Sequence, residues 1–134
     1  MQDSLYGLLW VALGSLPGGM ARHLVSGLVA SHVGAAFPWG TIVVNVTGSF
    51  AIGAVAAVAG APSPDGTPAS WDLFVVGFLG SYTTVSSFSL QTLALAREGQ
   101  PLRASGNVLL SFAFCLAAVA LGFAAGTAAT GFRS

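Results

Sequence analysis

Between Gly77 and Ser89 the chain reads Gly77-Phe78-Leu79-Gly80-Ser81-Tyr82-Thr83-Thr84-Val85-Ser86-Ser87-Phe88-Ser89. Six hydroxyl residues besides Tyr82, and two glycines, fall in what should be the middle of a membrane-spanning helix. Apolar sequence precedes this stretch from Leu73 to Val76 and follows it from Leu90 to Ala96. Lipid cannot hydrogen-bond a backbone, so such a span is tolerated only where protein or a watery path surrounds it. Hydroxyls and loosened backbone at membrane depth suit the binding or conduction of something polar.

Other polar residues recur at helical spacing. Thr41, Asn45, Ser49 and Gly53 are four residues apart and share one helix face. A buried amide is costly without partners. Asn45 therefore reads either as a hydrogen-bonding tie between packed helices or as a donor facing an anion; spacing alone favours the tie. Asn107, Ser111 and Cys115 repeat the spacing, and Gly122 and Gly126 extend a small-residue surface. Such a stripe is more often a packing seam than a pore, and Cys115 suits a small apolar filler. Pro17, Gly18 and Gly19 interrupt the first apolar run ahead of Arg22 and His23. Arg22 can snorkel to the interface or stand at a vestibule and attract anions. His23 and His32 have no convergent Cys or acidic partners and read as interfacial. Trp39 and Trp71 suit anchoring near span ends.

No Asp or Glu lies in the body of any span. Asp72 sits at a boundary, and Asp3, Asp65 and Glu98 lie outside. A proton-coupled exporter needs a carboxylate in the membrane that loads and unloads protons. This argues against a small multidrug-type transporter. No nucleophile, base and orienter are gathered, so an enzyme is not expected. Hydroxyl and amide donors, one arginine and no carboxylate point to an anion or a neutral solute.

Composition sets what must position these residues. The 134 residues are 54% hydrophobic and 6% charged, with a mean hydropathy of +0.82. Soluble domains carry about 25% charged residues, so the chain is read as a multi-pass protein of the cell membrane. There are four arginines, no lysine and one cysteine. That excludes an internal disulfide, a zinc pattern and a basic patch for nucleic acid. The N-terminus lacks the basic region of a secretory signal. Four spans are expected, from about Leu5 to Leu28, Pro38 to Gly60, Trp71 to Ala96 and Gly106 to Gly126. Each approaches the roughly 20 residues that cross ~30 Å of hydrocarbon. Ser31 to Phe37 and Arg97 to Ser105 form short connections. Ala61 to Pro68 forms a proline-rich turn. Arg97 and Arg103, with Arg22 if that end of the first helix is counted, fall on one side and Arg133 on the other, a bias small enough to suit insertion in both orientations as well as a single orientation with few charges.

The chain resembles the Fluc fluoride-channel family, also called CrcB. The matching segments are Gly18-Gly19-Met20-Ala21-Arg22, Trp39 to Phe50 with its Asn45-Val46-Thr47-Gly48-Ser49 core, and Gly77 to Ser89. The resemblance implies an all-α membrane protein whose third helix is broken, forming an antiparallel dual-topology dimer with two fluoride pores. It also implies a central sodium ion held by the backbone carbonyls of Gly80 and Thr83. Asn45 takes the place of the family's pore amide, and Phe88 takes the second phenylalanine position of its aromatic box. Ser111 falls on the polar track of the fourth helix, while Arg22, Thr84 and Ser87 border the expected path. Fluoride is small and strongly hydrated, so donors must replace its water, and aromatic ring edges can also face it.

Three positions depart from the family pattern. Val85 replaces the first box phenylalanine, Gln91 stands where many members carry Glu, and Asn107 stands where an aromatic is common. The resulting expectation is a subunit that exports fluoride passively, either as a homodimer or as a heterodimer with a paralogue that supplies the missing ring. A non-conducting partner subunit is the alternative within the same fold.

Overall fold

The computed structural model describes residues 2–60 and 67–131, and every regular element among them is helical. The expectations placed on residues 61–66 and Arg133, and on the side chain of Asp3, lie outside the described residues. The elements are α1 (Gln2–Val33), α2 (Trp39–Ala59), α3 (Ala69–Trp71), a π-helical segment (Asp72–Leu79), α4 (Gly80–Tyr82), α5 (Val85–Arg97) and α6 (Pro101–Gly131). They make four helical columns, with α3 to α5 forming the third.

Three columns, Trp39–Ala59, Ala69–Arg97 and Pro101–Gly131, are long and apolar enough to cross a membrane. The protein is therefore a multi-pass membrane protein. The first column has the length, at 32 residues or about 48 Å, but its Pro17-Gly18-Gly19 and Arg22-His23 residues dilute its apolarity. Pro17 does not interrupt α1, which runs through it. A membrane helix tolerates the lost bond because neighbouring groups satisfy the freed backbone. The helices also outrun the expected spans. α6 begins at Pro101 rather than near Gly106, so the last connection shrinks to Glu98-Gly99-Gln100. Gly99 turns it at φ +73°, a conformation only glycine adopts freely.

Glycines set the packing. α2 lies along α6, with Gly122 pressed on the Phe50 backbone, Gly126 on Ala54 and Gly53 on Val119. α1 lies along the π-helical segment, with Gly14 against Leu73, Gly18 against Phe78 and Gly77 against Val11. Without a hydrophobic drive between helices in lipid, close backbone approach supplies the association. The stripe on the fourth helix is thus a seam at its Gly122–Gly126 end. Gly122→Ala must push α2 off α6 and is expected to cost about 1–3 kcal/mol. Gly106→Ala meets nothing within 4 Å and is expected to be neutral or better. Melting curves in detergent distinguish the two.

The third column carries the irregularity. Its Asp72–Leu79 segment is widened into a π-helix, with i→i+5 in place of i→i+4 bonding, a rare form that often marks functional sites. After Tyr82 the chain leaves helical geometry for two residues. Thr83 (φ −76°, ψ 158°) and Thr84 (φ −151°, ψ 122°) are extended, and α5 starts at Val85. The Ser81 hydroxyl donates to the Ser15 carbonyl at 2.9 Å and so ties α4 to α1.

Candidate functional site

The extended pair Thr83-Thr84 lies between two cavities. The first, about 500 Å³, is lined by Arg22, Ser26, Thr41, Thr84, Ser87 and Gln91, among others. The Thr84 hydroxyl caps α5 by accepting the Ser87 N–H at 3.1 Å. It also lies 3.2 Å from the hydroxyls of both Ser86 and Ser87. A helix N-terminus carries partial positive charge. No ion pair engages Arg22 among the described residues, so its charge adds to that field. One cation, clustered hydroxyls and a helix start, with no carboxylate in the wall, make a cavity suited to an anion.

The second cavity, about 320 Å³, is lined by Asn45, Ser49, Gly80, Thr83, Thr84 and Val85, among others. Asn45 reaches across from α2 and grips the Thr84 backbone at both ends. Its Nδ2 donates to the Thr84 carbonyl at 2.9 Å, and its Oδ1 accepts the Thr84 N–H at 2.7 Å. Asn45 is therefore a tie between helices, and it ties at the extended pair itself. The second Nδ2 proton is not used by these bonds.

A third cavity, also about 320 Å³, is lined by Gln91, Glu98, Gln100 and Arg103, and shares Gln91, Ala35 and Pro38 with the first. It lies at the connection between α5 and α6, where Arg103 Nη1 donates to Gln100 Oε1 at 2.9 Å. Gln91 Oε1 is buried with no hydrogen-bond partner.

Arg22, Thr84 and Ser87 thus share one wall, and Asn45, Gly80, Thr83 and Thr84 share the other. Phe88 and Ser111 line neither cavity. Phe88 is half-buried on α5, and its carbonyl accepts from the Thr92 hydroxyl at 2.7 Å. Thr92 in turn accepts from Asn107 Nδ2 at 2.8 Å. Asn107 is 1% exposed, and its Oδ1 is 3.5 Å from the Ser111 hydroxyl. The polar end of the fourth-helix stripe is an internal hydrogen-bond chain to α5. Val85, by contrast, is 77% exposed. Thr41 and Gln91, named from sequence but not placed on the expected path, also line the first cavity. Thr84, Ser87 and Gln91 are spaced three and four apart, which on a helix is one face, and that signal was available.

Comparison with known proteins places the sequence in a family. The model described as "CrcB-like protein, Camphor Resistance (CrcB)" matches residues 9–123. The chain is 60% identical over 126 residues to the "Fluoride-specific ion channel FluC 2" of Rhodopseudomonas palustris (strain BisB18), covering 93% of this chain and 96% of that one. It is 52% identical to the "Fluoride-specific ion channel FluC" of Rhodospirillum rubrum, covering 85% of this chain and 89% of the relative. It is 42% identical to the "Fluoride-specific ion channel FluC 3" of Brucella suis biovar 1, covering 84% of this chain and 86% of the relative. With a family match over most of its length and relatives this similar end to end, the chain belongs to the CrcB-like family.

Proposed function

We propose that this chain is a subunit of a fluoride-specific channel, a passive path and not an enzyme. The observation that carries this is the first cavity, lined by Arg22, Thr84 and Ser87 with no carboxylate in the wall. Fluoride entering it exchanges water for hydroxyl donors, and the α5 N-terminus and Arg22 offset its charge. The names of the relatives agree with that reading over a small multidrug-type transporter. The test is efflux from liposomes holding the purified chain, read with fluoride and chloride electrodes. Fluoride release without chloride release supports the reading; equal release of both overturns it.

An antiparallel dimer is part of the same reading. The Thr47 and Tyr82 hydroxyls pair at 2.9 Å on an exposed surface, and Ser86, Ser89 and Gly80 are also exposed along the third column. Polar groups at membrane depth need protein or water around them, and a second copy supplies it. The numbered names of relatives, "FluC 2" and "FluC 3", accord with lineages in which a paralogue fills that place. A broken third helix with a sodium ion at the Gly80 and Thr83 carbonyls completes the picture. Both residues line the second cavity, and unwound carbonyls are a donor set that suits sodium at membrane depth. The bound cation would supply fixed positive charge between the two anion paths.

Arg22→Ala is expected to reduce flux several-fold at low salt and little at high salt. The Debye length falls from about 10 Å at 0.1 M to about 3 Å at 1 M, so a steering charge loses its reach. An effect of the same size at both salt concentrations would assign Arg22 a direct ligand role instead.

A further inference from the structure

The two carbonyls assigned to the cation share a feature of their surroundings. In a continuous α-helix each carbonyl accepts the N–H four residues ahead. For Gly80 that is the Thr84 N–H, and for Thr83 it is the Ser87 N–H. Both amides are taken by side chains. The Thr84 N–H goes to Asn45 Oδ1 at 2.7 Å, and the Ser87 N–H goes to Thr84 Oγ1 at 3.1 Å. Neither the Thr84 N–H nor the Ser87 N–H therefore bonds the Gly80 or Thr83 carbonyl. Gly80 and Thr83 both line the second cavity.

We infer that Asn45 and Thr84 are positioning residues for a backbone cation site, each withdrawing the amide that would otherwise occupy a ligand carbonyl. This rests on the channel reading only for the identity of the cation. A carbonyl left without a donor at membrane depth is costly, and a hard cation is the partner that satisfies several at once. Asn45 does more than withdraw one amide. Its Nδ2 holds the Thr84 carbonyl at 2.9 Å, which keeps Thr84 extended and its hydroxyl on Ser87. The two withdrawals are therefore coupled through Thr84. Thr84 also walls both cavities, so cation occupancy and the shape of the anion cavity move together.

The test uses the full chain purified in detergent. Its melting temperature is followed as sodium chloride replaces N-methylglucamine chloride at constant ionic strength. The wild type is expected to gain stability with sodium along a saturating curve. Thr84→Val removes the acceptor and keeps the shape, so the Ser87 N–H returns to the Thr83 carbonyl. Its sodium midpoint is expected to rise about tenfold or more, the equivalent of one hydrogen bond to the ligand carbonyl. Thr84→Ser keeps the acceptor and is expected to restore the wild-type midpoint. A Thr84→Val curve that overlays the wild type overturns the inference. So does failure of Thr84→Ser to restore the midpoint. Should Thr84→Val not fold in either salt, the wild type and Thr84→Ser decide: absence of a sodium response in both overturns it. Fluoride efflux of the wild type is measured in parallel. Flux without a sodium response removes the cation site and leaves the channel; a sodium response without flux removes the channel and leaves the site.

Discussion

Asn45→Ala is expected to cut fluoride flux at least tenfold while the yield of the proposed dimer falls by much less. Two bonds disappear together, at 2.9 Å and 2.7 Å, and both end on the Thr84 backbone. Leaving a buried partner unsatisfied costs about 1–3 kcal/mol per group. Each 1.4 kcal/mol is about tenfold in the population of the competent geometry. Thr84 then has a free N–H beside the Gly80 carbonyl and can close the extended pair into helix. Its hydroxyl would swing off the Ser87 amide and out of the anion cavity. The packing seams do not involve Asn45. They run through Gly53, Gly122 and Gly126 on one side, and Gly14, Gly18 and Gly77 on the other. The helices should therefore still associate. The measurement is efflux per reconstituted dimer alongside yield from size-exclusion chromatography. Normal flux per dimer with a collapsed yield would make Asn45 a packing residue only.

Val85→Phe is expected to raise fluoride flux several-fold in the chain purified alone. Val85 is 77% exposed, beside the extended pair and on the wall of the second cavity. A larger side chain is accommodated there without displacing any neighbour in this chain. A ring brings a positive edge that an anion can approach, which valine lacks. If the path needs two rings, the natural chain conducts weakly by itself and a paralogue supplies the second one across the dimer. The comparison is the initial efflux rate of the two proteins at equal density in the liposomes. Equal and robust rates would show that Phe88 with the Thr84 and Ser87 hydroxyls suffices, and that the natural chain works as a homodimer.

The membrane class, the four helical columns and the family were legible in the sequence because they depend on local composition and on motif strings. The span ends were not, since helices extend past the hydrocarbon wherever the chain allows, as α6 does from Pro101. Pro17 reads as an interruption, yet α1 absorbs it. The π-helical turn over Asp72–Leu79 left no sequence mark beyond Gly77 and Gly80. Thr84 as a helix cap is written locally, three residues before the amide it accepts. The Asn45 grip is not, because its partner lies 39 residues away and spacing within α2 says nothing of what faces it. Sequence placed Thr41, Asn45, Ser49 and Gly53 on one face, and the structure divides them. Thr41 lines the first cavity, Asn45 and Ser49 the second, and Gly53 the α6 seam. A face carries one label in sequence, but a tilted helix passes several neighbours along its length. Phe88 and Ser111 lie off both cavity walls.

Passive movement of fluoride is electrogenic and so needs a countercharge. Liposomes holding the wild-type chain are loaded with potassium fluoride, diluted into fluoride-free buffer, and treated with a potassium ionophore that supplies countercharge. Fast fluoride release is expected on addition of the ionophore, little before it, and no release of chloride from parallel vesicles. Release that ignores the ionophore and follows an imposed proton gradient would contradict passive movement.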